Sequence, residues 1–467
     1  MSAPLVEALR AMEGRLSFHM PGHKGLRGEL ELSPHMDVTE LERTDDLYRP
    51  DGPIARAQEL MAQSARAART ILLTNGSTCG VEAMLGYAAR PGERVILPRA
   101  SHLSAVSACA LYGLEPVWVD AWADEGGAPF TRGQDVLEAI RRHPEARAVL
   151  ITRPDYFGRM LPLDGIAAAA HAAGMLLLVD EAHGAHLNWL DGRTGVYLPG
   201  GGEAERRVSA LDMGADICVQ SAHKTLSALT GGAWLHMAAG VDGERLLRMV
   251  ALTQSSSPSF LIMASLDGAR ARMDERGAEE LERLCAWCEE VNAACAGEGL
   301  APARGYFGLP CDRTRLALDV TGRGISGYET QRALEGQGID IEMADARRIV
   351  MIATVADQRS GLERLARALR ALPRGAGSPS APRVERIGRG ERRMGLREAA
   401  LGPCRRVPLE RAAGCVAARA LGAYPPGVAE CVPGEEISAA ACERLCAARS
   451  RGAALFGLEQ GMCVVTA

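Results

Sequence analysis

A chain of 467 residues, 47% hydrophobic and 24% charged, holds enough material for two or three domains of an ordinary globular protein. Its net charge of -5 leaves no electrostatic footprint for nucleic acid or an anionic membrane. The N-terminus lacks the basic-then-apolar pattern of a signal peptide, and no stretch approaches the roughly 20 apolar residues of a membrane span. Thirteen scattered cysteines suit reduced thiols better than a disulfide framework, so a cytoplasmic protein is expected. Cys285 with Cys288, and Cys442 with Cys446, fall in helix-like runs where such spacing is one face.

From residue 70 to about 240 short apolar runs alternate with helix-like segments. TILLT (70–74), RVILP (94–98), PVWVD (116–120), AVLIT (148–152), MLLLVD (175–180), DICVQ (216–220) and AWLHM (233–237) read as buried strands. Segments 79–90, 102–112, 134–142 and 164–173 fill the gaps as helices. This pattern predicts an α/β fold, a mostly parallel sheet with helices on both faces and ligands at the carboxyl ends of the strands. Residues 260–298 predict a long helix or helix pair. RLALDV (315–320), a helix over 326–337 and RIVMIAT (348–354) predict a smaller α/β domain. The Pro/Gly/Ser-rich 373–383 reads as a linker or exposed loop. The expected organisation is an N-terminal segment (1–50), a large domain (51–298), a small domain (299–372) and a C-terminal segment (384–467) with YPPG and PGEE loops.

Of the 53 basic residues only Lys24 and Lys224 are lysines. A chain so biased towards arginine keeps lysine by chance or where a guanidinium cannot serve, as in a Schiff base. Four pieces at strand ends supply context. NGSTCG (75–80) opens a helix, offering Gly76, Ser77 and Thr78 to a phosphate, although such turns also cap helices routinely. SHLS (101–104) puts His102 where it can lie over a ring or act as a cap. VDEAHGAH (179–186) ends a strand on Asp180, a carboxylate suited to a pyridinium N–H. A weaker reading of this segment is a metal site of His183 and His186 with Asp180 or Glu181. QSAHKT (220–225) brings Lys224 to the same strand ends, with Ser221 and His223 within reach of a phosphate. Together these pieces are the parts that pyridoxal-phosphate (PLP) chemistry needs.

MPGHKG (20–25), TDDLYRPDGPI (44–54), NGST (75–78), SHLS (101–104), DEAHGAH (180–186), QSAHKT (220–225), SSSPSF (255–260), SLDGAR (265–270) and YPPGVAECVPGEE (424–436) follow one another along nearly the whole chain. In that order they resemble the Orn/Lys/Arg decarboxylase family, PLP enzymes of fold type I. The resemblance implies PLP-dependent α-decarboxylation of arginine, lysine or ornithine, feeding polyamine synthesis. It implies that Gly76, Ser77 and Thr78 hold the phosphate, His102 stacks on the ring and Asp180 pairs with the ring nitrogen. His183 then lies beside the ring, Ser221 and His223 assist the phosphate, and Lys224 bonds the cofactor covalently. It also implies a homodimer with the site at the interface, where Ser256 or Ser257 reaches the partner's phosphate. Lys24 is expected near the site entrance, and Glu435 or Glu436 is a candidate for the substrate's distal cation. No metal is expected.

The chain departs from the family pattern at Tyr48, Ala100, the segment Leu229–Thr230–Gly231 and Phe260, which bears on the substrate more than the reaction. The PGHK loop comes so early that the family's N-terminal wing domain, and the ring-shaped assemblies it supports, are not expected. The alternatives are a same-fold aminotransferase or carbon–sulfur lyase, a catalytically silent regulatory relative and, more remotely, a zinc hydrolase.

Overall fold

Seven strands of four or five residues build the central sheet: β1 (Arg69–Leu73), β2 (Arg94–Pro98), β3 (Glu115–Val119), β4 (Ala148–Thr152), β5 (Leu176–Asp180), β6 (Ile217–Gln220) and β7 (Ala233–Met237). The structure is a computed structural model that describes residues 15–24, 36–124, 127–306, 308–376, 384–424, 428–450 and 452–467. The strand order is β1-β7-β6-β5-β4-β2-β3. β7 runs antiparallel to both its neighbours, and the other pairings are parallel.

The apolar runs become strands because both faces of this sheet are buried. Side chains alternate between two apolar clusters, as the two-residue repeat of a strand requires. Val95, Leu97, Leu150, Leu178 and Val219 enter one cluster. Ile96, Val149, Ile151, Leu177 and Val179 enter the other. Helices Gly76–Ala88 and Leu103–Tyr112 cover the first face, and Gly133–Arg142 and Asp164–Ala172 the second.

Residues 260–298, expected as a helix or a helix pair, form one 36-residue helix, Phe260–Cys295, whose N-terminus is capped by the Ser259 side chain. It leads to a four-stranded antiparallel sheet in the order Ala301–Pro302, Arg315–Asp319, Arg348–Ile352, Met343–Ala344. Leu266 and Leu284 of the helix share a core with Leu316, Leu318, Ile349 and Met351 of that sheet. The C-terminal region carries two three-stranded sheets and the helix Ala439–Ser450. Residues 377–383 of the expected linker and Pro425–Gly427 of YPPG lie outside the described residues. Among the described residues no helix is long and apolar enough to cross a membrane.

The six parallel strands therefore point their carboxyl ends to one side. The segments that follow β1, β2, β4, β5 and β6 meet there, joined by Thr230 and Gly231, which precede β7.

Candidate active site

These strand ends enclose a cavity of about 430 Å³. Gly76, Ser77, Thr78, His102, Asp180, His183, His223 and Lys224 all line it. They arrive on four strand-end segments, after β1, β2, β5 and β6, brought together by the parallel topology.

The NGST turn is the first turn of the helix Gly76–Ala88 rather than a loop before it. Gly76 donates its N–H to the Gly231 carbonyl at 2.8 Å, and Asn75 makes no side-chain capping bond, so Ser77 and Thr78 stand at an uncapped helix start on the cavity wall. Gly76 has φ +73, and a Cβ there would meet nothing within 4 Å. The constraint at this position is thus the left-handed backbone and not space.

Asp180 ends β5, is 4% exposed, and accepts the Ala182 N–H at 3.1 Å through one carboxylate oxygen. His102 is the N-cap of Leu103–Tyr112. Its Nδ1 accepts the Ser104 N–H at 3.2 Å, which leaves Nε2 as the protonated nitrogen of the neutral ring. Burial lowers its pKa, against Asp180 and with Lys224. His223 Nδ1 is 3.0 Å from the Gly232 carbonyl, and burial lowers its pKa too.

Lys224 lies in the single turn Ala222–Thr225 after β6. Its Nζ stands 3.4 Å from His183 Nε2. Burial pushes the amine below the usual lysine range, while Asp180 and Glu342 pull it back up. A buried amine of lowered pKa beside a carboxylate is the arrangement that an imine-forming lysine needs.

Not every expected site residue lines the cavity. Ser221 is fully buried behind it, and its Oγ has no partner among the described residues. Ser256 is exposed outside it. Glu435 is a correction. Its carboxylate forms a buried ion pair with Arg99 (3.1 Å, both side chains 5% exposed or less) and accepts the Val432 N–H, so it is not free to meet a substrate cation. Its neighbour Glu436 is bound to Arg393. Lys24 also departs from expectation. Its Nζ is spent on the carbonyls of His19 (3.0 Å) and Ile352 (2.8 Å). Gly22 beside it donates to the His223 carbonyl at 2.7 Å and accepts the Thr354 hydroxyl at 2.7 Å. The PGHK loop thus ties the Lys224 turn to the small sheet.

His183 and His186, paired in sequence, take different partners. His186 binds Asp312 at 3.0 Å, well inside the protein. Among the described residues no group of three or more His, Cys, Asp or Glu side chains is placed to hold a metal.

Several site residues escaped the sequence reading. Tyr156 and Phe157 follow β4 and line the cavity; their place after an apolar strand was the available signal. Arg159 lines it too and bonds Asp155 and Asp124. Arg315, 5% exposed, reaches His183 from the small sheet, and Glu342 accepts the Tyr156 hydroxyl. No motif marks either.

The residues fit PLP. The uncapped helix start suits a phosphate, and Asp180 suits a pyridinium nitrogen. The buried hydroxyls of Ser101 and Thr152 at the cavity, and of Ser221 behind it, have no partner among the described residues. The sequence matches the family model described as Orn/Lys/Arg decarboxylase, major domain, over residues 3–295, and its C-terminal domain over 393–462. The chain belongs to the Orn/Lys/Arg decarboxylase family. It is a PLP-dependent amino-acid decarboxylase.

Among its relatives are an uncharacterized protein, YaaO, of Bacillus subtilis, 35% identical over 377 residues (77% of this chain, 75% of the relative). An arginine decarboxylase of the same species is 28% identical over 466 residues, covering 93% of this chain and 91% of that one. The solved constitutive lysine decarboxylase of E. coli has a TM-score of 0.74 at 19% identity, covering all of this chain and 82% of that one. That likeness establishes fold type I.

Proposed function

We propose that this decarboxylase acts on a basic amino acid, with arginine the first candidate, and releases CO₂ and the corresponding amine for polyamine synthesis. One observation carries the reading: Lys224, His183, Asp180, His102 and an uncapped helix N-terminus converge on one cavity. The arginine preference draws on the arginine decarboxylases that match over nearly the whole chain.

When bound, PLP supplies the electron sink for the pair released with CO₂. The chain supplies the rest. The helix start at Gly76, with Ser77 and Thr78, would hold the phosphate, and Ser221 and His223 would assist from the end of β6. Asp180 would pair with the ring nitrogen and keep it protonated, and His102 would lie against the ring. Lys224, whose buried amine faces the cavity, would be the residue that holds the cofactor covalently. His183 Nε2, 3.4 Å from Lys224 Nζ, orients its amine.

The distal cation of the substrate needs an acid. Of the carboxylates lining the cavity, Asp155 is held by Arg159 and Asp180 serves the ring nitrogen. The reading therefore includes a homodimer whose partner completes the site, with Ser256 displayed towards the partner's phosphate. The test is to incubate holoenzyme with arginine, lysine and ornithine separately and measure CO₂ and product amine. CO₂ with agmatine from arginine is the expected result. No CO₂ from any of the three, with amino transfer to a keto acid instead, refutes the reading.

A further inference from the structure

Arg315 opens the strand Arg315–Asp319 of the small sheet, yet its side chain ends against the residues that line the cavity. Three contacts hold it. Nη1 donates to the Tyr156 carbonyl at 2.9 Å. Nη2 stands 3.2 Å from His183 Nδ1. Its stem packs on Gly158, where an added Cβ would fall 2.7 Å from the Arg315 Cβ, and where φ is +84. A guanidinium has five donors and no acceptor, and it does not deprotonate in proteins. His183 Nδ1 must therefore accept, and it cannot carry a proton.

The His183 ring is also neutral. Burial drives its pKa well below the usual range, and Lys224, Arg315, His102 and His223 add to the effect. A neutral imidazole whose Nδ1 accepts carries its one proton on Nε2. That nitrogen faces Lys224 Nζ at 3.4 Å. An ammonium has three donors and no lone pair, so a protonated Lys224 would set two donors face to face. A free amine offers the lone pair that the His183 N–H requires. Tyr156, edge-on to the imidazole at 5.1 Å between centroids, fixes the ring plane.

We propose that Arg315 is a positioning residue: it locks His183 in the Nε2-protonated tautomer, and that N–H holds Lys224 as a free base ready to add to the cofactor aldehyde. The inference rests on Lys224 being the cofactor lysine. Addition of the amine forms the carbon–nitrogen bond, and the aldehyde oxygen leaves as water. The charges facing Lys224 come from every side. Asp180 and Glu342 favour its ammonium, Arg315 opposes it, and His183 and His102 are neutral. Because Arg315 belongs to the small sheet, the lock exists only when that sheet is seated on the large one.

The experiment uses the full-length protein freed of cofactor. In histidine-¹⁵N NMR of the wild type, with His183→Asn to assign the resonance, His183 should show a protonated Nε2 and a bare Nδ1. A protonated Nδ1 overturns the proposal without any Arg315 variant. The second measurement is the pH dependence of adduct formation with added PLP, followed by absorbance and trapped with borohydride. Arg315→Met should slow capture at neutral pH about tenfold, as one unit of pKa implies. Arg315→Gln keeps an N–H for His183 Nδ1 without the charge and should restore most of the rate. An unchanged profile in Arg315→Met, or a Gln variant as impaired as the Met variant, overturns the proposal. Peptide mass mapping of the trapped adduct keeps the premise separate. Label on a lysine other than Lys224 refutes the cofactor assignment, whatever the His183 tautomer.

Discussion

Replacing Lys24 by methionine tests whether the PGHK loop is a clamp or part of the catalytic machinery. Methionine preserves most of the length and apolar stem but removes the ammonium. Two hydrogen bonds are lost, to the carbonyls of His19 and Ile352. Bonds to charged groups contribute about 1.5–3 kcal/mol each, so the gross loss is about 3–6 kcal/mol. Some is returned, because burial already disfavours the Lys24 ammonium, whose pKa is lowered despite the neighbouring carboxylates of Asp357 and Glu342. The net destabilisation expected is about 2–4 kcal/mol. The effect should reach the active site through Gly22, which bonds the His223 carbonyl one residue from Lys224. Equilibrium urea unfolding reads the stability, and borohydride trapping with peptide mapping reads the adduct. The variant should be less stable and show a raised substrate KM, yet still carry PLP on Lys224. A loss below about 0.5 kcal/mol, or a folded variant without adduct, would refute the clamp.

Two further outcomes are expected. Lys224→Ala should abolish the covalent adduct and decarboxylation while leaving the fold intact; an adduct retained in this variant would overturn the site assignment. His236 is fully buried between Thr70 and Gln220, and its pKa is pushed down to about 3. The unfolded chain therefore takes up a proton near pH 6.5 that the folded protein refuses, and stability falls as pH drops through that value. Between pH 7 and 5 this group alone should cost about 2 kcal/mol, so the wild type should lose that much more than His236→Gln in urea unfolding. Equal slopes for the two proteins would show that His236 titrates normally.

The central strands were legible because burial on both faces forces near-continuous apolar runs, and such runs stand out in sequence. RVILP, AVLIT and AWLHM match β2, β4 and β7 residue for residue. The antiparallel direction of β7 was not legible, since an apolar run reads the same in either direction. Gly76, His102, Asp180 and Lys224 were legible because each sits within a few residues of a strand end, where the order of elements alone points to a common cleft.

What sequence alone determined is local: apolar strands, the residues that follow them, and the single lysine so placed. The tertiary structure decided what joins distant segments. Arg315 lies 132 residues beyond His183 in the chain and reaches it only because the small sheet packs beside the segments that follow β4 and β5. Glu435 looked like an available carboxylate until Arg99, 336 residues earlier, was found beside it. Lys24 carried no legible role, because its partners are the backbone carbonyls of His19 and Ile352, and a carbonyl is the same at every residue. Charge pairing and hydrogen bonding depend on distance in space, and for such pairs only the packed fold supplies it.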